Sequence, residues 1–203
     1  EIPKRDWSSD VCSSDLEEIR LVYVGRFDEI KGGQVLLRAL PEISEKSGRV
    51  VNLEMIGAGP AAADWNSKAH QVASDRIRIT FHGWLDSARK DALVAASDLL
   101  VVPSVWPEPF GQVGLEAAGL GTPAVAFDVG GVRNWLRDGV NGLLAPANPP
   151  DASGLAESIL KALQNRDAYA KMRGDAKLVA KEFTVERHVR ALTEVFNRVL
   201  KNR

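Results

Sequence analysis

The chain has 203 residues, 45% of them hydrophobic, enough for one well-buried domain and no reason to assume two. Its 26 Lys and Arg stand against 27 Asp and Glu, so no global field draws it to nucleic acid or an anionic membrane. The single cysteine, Cys12, excludes an internal disulfide framework, and no stretch has the apolar length of a membrane span or the layout of a signal peptide, so the expected location is cytoplasmic.

Residues 1–16 are polar, rich in Ser and Asp, and aperiodic, and they are expected to form a disordered or non-native tail. The run from Asp6 to Leu16 also resembles translated sequencing adapter. One domain is expected over 17–203. From Ile19 onward short apolar runs alternate with amphipathic stretches, the pattern of a parallel sheet covered by helices on both faces. In chain order the predicted elements are strand 20–24, helix 34–47, strand 51–56, helix 62–74, strand 77–81, helix 87–96, strand 99–102, helix 112–120, strand 124–127 and strand 142–144. After the Pro-rich break at 146–150 come helices 151–165, 168–183 and 185–200. The fold class is therefore α/β: a Rossmann-like open parallel sheet of about six strands with a C-terminal helical cap. The terminal helix is expected to bury a core face.

Each strand except the last ends in a loop that opens a helix, so the loops after Val24, Ile56, Phe81, Val102 and Phe127 share one rim, where open α/β sheets bind ligands. At the first strand end stands Gly25-Arg26-Phe27-Asp28-Glu29-Ile30-Lys31-Gly32-Gly33, two cations five residues apart on a Gly-bounded loop. Arg26 offers a planar fork for two phosphate oxygens and Lys31 a mobile point charge. Either cation alone reads as a solvated surface residue. The segment from Pro103 to Glu116 sets Glu108 on a Pro-flanked loop and Glu116 inside the following helix. The amides of that helix start suit a phosphate, and a carboxylate further in can accept from two neighbouring sugar hydroxyls. Together these features suit a nucleotide sugar.

From about Ile19 to the C-terminus the chain resembles the donor-binding, C-terminal half of retaining glycosyltransferases of the GT-B fold, the glycosyl transferases group 1. The resemblance rests on Gly25-Arg26 with Lys31-Gly32, the Gly57-Ala58-Gly59-Pro60 turn, Pro103-Ser104, Glu108-Pro109-Phe110-Gly111 with Glu116-Ala117, Gly121-Thr122-Pro123, Gly130-Gly131 and Asp138-Gly139-Val140-Asn141-Gly142. It implies that Arg26 and Lys31 bind the donor diphosphate, with Gly25 beside them. It also implies that Glu116 binds the ribose hydroxyls and that Glu108 contacts the transferred sugar. Amides of Phe110, Gly111, Gln112 and Val113, following Pro109, would surround sugar and distal phosphate, with base contacts from Gly83-Trp84. Arg26, Lys31 and Glu108 are the implied catalytic set. A departure is Asn134, where the family often has Glu.

No Asp-x-Asp pair and no cluster of metal-ligand spacing occurs, so transfer is expected to need neither metal nor cofactor. The substrate would be a UDP-, GDP- or ADP-linked sugar. The resemblance further implies an acceptor, whether saccharide, lipid or small molecule, bound by an N-terminal domain that is missing here. It also implies a terminal helix that crosses to that domain, and leaves peripheral membrane association of the full protein open. Two other readings compete: a non-catalytic nucleotide-sugar module, and a sugar-nucleotide epimerase of the same fold.

The turn Gly57-Ala58-Gly59-Pro60-Ala61-Ala62 matches a loose dinucleotide fingerprint. Pro60 lacks the amide that a phosphate cradle would use, so it reads instead as a tight turn facing the cleft. His82 is expected to hydrogen-bond locally to backbone, His70 and His188 to be solvated, and Trp106 and Trp135 to serve packing or domain contact.

Overall fold

The computed structural model describes residues 18–201; the tail expected at 1–16 lies outside them. Short runs rich in Val, Ile and Leu form β1 (Glu18–Val24), β2 (Val50–Ile56), β3 (Ile77–Gly83), β4 (Leu99–Val102), β5 (Ala124–Phe127) and β6 (Gly142–Ala145). Between and after them lie α1 (Gly33–Ser47), α2 (Ala62–Val72), α3 (Ser87–Ala96), α4 (Gln112–Leu120), α5 (Ala152–Gln164), α6 (Arg166–Ala180) and α7 (Val185–Lys201). Among the described residues no helix is long and apolar enough to cross a membrane.

All six strands are parallel, in the order β3-β2-β1-β4-β5-β6. The interior strands β4 and β5 are buried at every position, as strands covered on both faces must be. Alternation along β1 sends Leu21 and Tyr23 into one core and Val22 into the other. The first core joins Leu36, Leu40 and Ile43 of α1, Trp65 of α2, and Leu155 and Ile159 of α5. The second joins Val94 of α3, Ala117 of α4, Trp135 and Leu136. The chain runs outward from β1 through β2 to β3, then returns to place β4 on the opposite side of β1. The loops after β1 and β4 therefore diverge, leaving a crevice between them.

The three C-terminal helices divide after the Pro-rich break. α5 packs on α1 and reaches β5 and β6, whereas α6 crosses to α4 on the other face. The Tyr169 hydroxyl of α6 donates to the Asp98 carbonyl at 2.7 Å. α7 contradicts its expectation: it has the stripe Val185, Val189, Leu192, Phe196 and Val199, yet none of its residues is buried. A stripe at helical spacing predicts a face to cover, but the sheet faces are already filled by α1 to α6.

The Gly57–Pro60 turn also differs from expectation, since it does not line the cleft. A Cβ at Gly57 would stand 1.9 Å from the Gly25 carbonyl oxygen, and one at Gly59 would stand 2.2 Å from that of Phe27. These glycines let the second loop lie directly on the backbone of the first, where the Phe27 amide donates to the Ala58 carbonyl at 2.9 Å.

Candidate functional site

A cleft of about 440 Å³ opens at the carboxyl ends of β1 and β4, the point where strand order reverses. Its first wall is the loop after β1. Phe27 is buried among Tyr23, Trp65 and Phe81 and anchors that loop. The Asp28 side chain accepts from the Ile30 amide and starts a 3₁₀ turn over Glu29–Lys31. Gly32 follows at φ 70°, and a Cβ there would lie 1.7 Å from the Pro103 carbonyl oxygen. That contact, with the Val105 amide donating to the Ile30 carbonyl at 3.0 Å, brings Lys31 against the loop after β4.

Lys31 Nζ donates to Glu108 Oε2 at 2.7 Å, and the buried Ser104 hydroxyl donates to the same oxygen at 2.9 Å. The Glu108 side chain is only 12% exposed. Its backbone is held too: the Gly131 amide donates to the Glu108 carbonyl at 2.6 Å, and a Cβ on Gly131 would meet the Pro109 carbonyl oxygen at 2.2 Å. The Gly-Gly turn thus serves to dock the Glu108 loop. Arg26 stands at the mouth, 68% exposed, with its guanidinium 3.4 Å from Asp28. An exposed pair at that distance is worth little and leaves Arg26 available to a ligand.

The second wall is α4. Gly111 precedes it at φ 85° and offers no side chain to cap the helix, so the amides of Gln112 and Val113 face the cleft as the positive end of the helix dipole. Beneath α4 lies Trp135, fully buried, whose indole N–H donates to the Phe110 carbonyl at 2.5 Å and whose ring lies where a Cβ on Gly114 would fall. One turn into α4 stands Glu116, ion-paired with Lys90 of α3. Burial alone would lower the Lys90 pKa, but its bonds to Glu116 and Asp91 raise it, so this ammonium stays charged.

The structure brings Gly25, Arg26, Lys31, Trp84, Glu108, Gly111, Gln112, Val113 and Glu116 to this cleft. Gly83, Pro109 and Phe110, also expected at the donor site, stand outside its lining. Gly83 ends β3 in a left-handed turn, Pro109 lies against Gly131, and Phe110 turns its carbonyl to Trp135 and its ring to Phe183. His82 differs as well: its ring meets Glu54 Oε2 at 2.5 Å instead of backbone, because β2 and β3 pair in parallel with Glu54 opposite Thr80, and His82 lies two positions further along β3 at a shift in the register. His70 and His188 are exposed as expected, Trp135 is core, and Trp84 and Trp106 are exposed.

Sequence reasoning assigned no role to Tyr23, Ser87, Lys90 or Ser104, which all line the cleft. Ser104 had a usable signal, standing between Pro103 and the Glu108 loop. Lys90 had none, since its meeting with Glu116 depends on α3 lying beside α4. Among the described residues no group of three or more His, Cys, Asp or Glu is placed to hold a metal ion.

Strand order and cleft define a Rossmann-like α/β protein with an anion-suited crevice at its switch point. The model of the family described as glycosyl transferases group 1 matches residues 18–165, and the chain belongs to that family, with the fold of the C-terminal domain of the GT-B architecture. It is 35% identical over 149 residues to phosphatidyl-myo-inositol mannosyltransferase of Mycobacterium tuberculosis, covering 71% of this chain and 38% of that protein. To D-inositol 3-phosphate glycosyltransferase of Rhodococcus erythropolis it is 31% identical over 204 residues, covering 98% of this chain and 45% of that one. Anabaena Alr3699/HepE, solved in complex with UDP and glucose, superposes with a TM-score of 0.74 at 26% identity, covering 90% of this chain and 49% of that one. Sucrose-phosphate synthase from Thermosynechococcus elongatus gives 0.77 at 27% identity, covering 96% and 48%. The chain spans less than half the length of each of these relatives.

Proposed function

We propose that the cleft binds a nucleotide-diphosphate sugar and that this chain is the donor domain of a retaining, metal-independent hexosyltransferase. The observation that carries the reading is the convergence of Lys31, Glu108 and the α4 N-terminus on one crevice. Family membership and a related structure solved with UDP and glucose support it. In this reading the diphosphate lies between Arg26, Lys31 and the amides of Gln112 and Val113. Glu116 accepts from the ribose hydroxyls and Glu108 from the sugar. Acceptor binding is assigned to the part of the whole protein that corresponds to the remaining length of the relatives.

As the anomeric C–O bond breaks, its electron pair passes to the diphosphate. Cations and amide dipoles already aimed there stabilise the growing charge without reorganising. The acceptor oxygen attacks from the face the diphosphate leaves, and its proton passes to the departing phosphate oxygen, so configuration is retained. Isothermal titration with uridine, guanosine and adenosine diphosphates tests the reading: at least one binds. Arg26→Ala and Lys31→Ala each weaken that binding about tenfold, the worth of one charge-assisted bond. Arg26→Ala leaves the melting temperature of the free protein unchanged. A folded sample that binds none of the three excludes the proposal.

A further inference from the structure

In the cleft both carboxylates assigned to hydroxyl recognition are engaged by lysines. Glu108 is bound to Lys31, and Glu116 to Lys90. Lys31 and the Ser104 hydroxyl share one oxygen, Glu108 Oε2, at 2.7 and 2.9 Å. The glutamate is 12% exposed and the lysine 32%, and the two are in direct contact, so a phosphate does not meet a free cation there. A diphosphate that takes Lys31 must displace Glu108 from it.

We infer that donor recognition proceeds by exchange at Lys31: the diphosphate replaces the Glu108 carboxylate, and the released carboxylate, still held by Ser104, becomes the acceptor for the sugar hydroxyls. The inference rests on the proposed function and adds coupling between its two halves. Two contacts other than Lys31 keep Glu108 at its place when it is released. Its backbone carbonyl is fixed by the Gly131 amide at 2.6 Å, and the hydroxyl that holds Oε2 belongs to a buried serine. It therefore remains a negative charge beside a new negative charge, unless hydroxyl donors offset it. A nucleotide sugar brings the hydroxyls of its sugar to Glu108, whereas the only sugar hydroxyls of a free nucleoside diphosphate are those of the ribose, which the proposed function assigns to Glu116. The exchange thus penalises the diphosphate product relative to the intact donor and favours its departure after transfer. Ser104 is a positioning residue here, acting through Glu108.

The test is calorimetric titration of wild type, Glu108→Gln and Ser104→Ala with UDP and UDP-glucose, GDP and GDP-mannose, and ADP and ADP-glucose. Glutamine keeps the shape and an oxygen for Ser104 but leaves Lys31 unneutralised. Glu108→Gln is expected to bind the preferred nucleoside diphosphate about threefold to tenfold more tightly than wild type, while the extra affinity contributed by the sugar falls. Ser104→Ala lowers the ratio of sugar-nucleotide to diphosphate affinity, while Ser104→Thr, which keeps the hydroxyl, retains it. If the wild type binds a diphosphate and Glu108→Gln binds it equally or less tightly, the exchange is overturned and the donor site stands. If neither protein binds any diphosphate, both fall together. Binding by Glu108→Gln alone supports the exchange, because the carboxylate then blocks the cation outright.

Discussion

Tyr23 shows how a single side chain ties the sheet to the cleft. Its hydroxyl donates to the Arg26 carbonyl at 2.8 Å, holding the first loop over the end of β1. Burial, followed by the nearby Glu108 and Asp28 carboxylates, pushes its phenol pKa above the ordinary tyrosine range. A folded value raised above the unfolded value of about 10 means the native state keeps a proton that the unfolded chain releases. The stability that Tyr23 contributes is therefore complete below about pH 10 and falls as pH rises beyond it. Tyr23→Phe is expected to lower stability at pH 8 by about 1 kcal/mol through loss of the hydrogen bond. Urea unfolding of both proteins from pH 8 to 11 should show that gap narrowing above pH 10; a constant gap would remove the phenol from the account.

Among the elements, α4 and α7 stand at opposite extremes. α4 has only nine residues, but both of its ends are fixed. Gly111 leaves its first amides to the cleft, Trp135 supports it from below through the Phe110 carbonyl, and α6 covers it outside. A helix secured in this way can present its dipole at a constant position. α7 has seventeen residues, a continuous apolar stripe and no buried side chain. Tertiary burial, not propensity, supplies most helical stability in proteins, so α7 contributes little to the stability of the chain as described. A chain ending after Thr184 keeps the Arg137–Glu182 pair and the Phe110–Phe183 contact. Its melting temperature should stay within about 2 °C of the parent, and its binding of a dye for exposed apolar surface should fall. A drop well beyond that in a thermal melt would mean α7 packs on the body after all.

At the scale of the whole molecule, strand order decides what the loops can do. β1 and β4 are far apart in sequence yet adjacent in the sheet, and the chain leaves them in opposite directions. The proposed division of labour places donor binding here and acceptor binding elsewhere in the whole protein. The 203-residue chain is therefore expected to bind a nucleotide sugar without transferring it. Release of nucleoside diphosphate over hours, with saccharide and small-molecule acceptors supplied, should not exceed the rate without protein. Turnover above that rate would place an acceptor site on this chain.

Much of this was legible in the residues themselves. The period of the apolar runs marked all six strands and the helices to within a few positions, because burial on a sheet or along a helix face imposes those periods locally. Arg26, Lys31, Glu108 and Glu116 were legible as a group because each lies on a loop that follows a strand or in the opening turns of the helix after it, where the chain has to place them near one rim. The pairings were not legible. Lys31 with Glu108, Lys90 with Glu116, His82 with Glu54 and Gly131 with the Glu108 backbone each join segments that meet only after the sheet has formed. The same holds for α7, whose stripe states that a face needs cover and not which surface provides it. Local chemistry determines which groups a chain can offer; a hydrogen bond or ion pair depends on distance, and distance between remote residues exists only once the elements have packed.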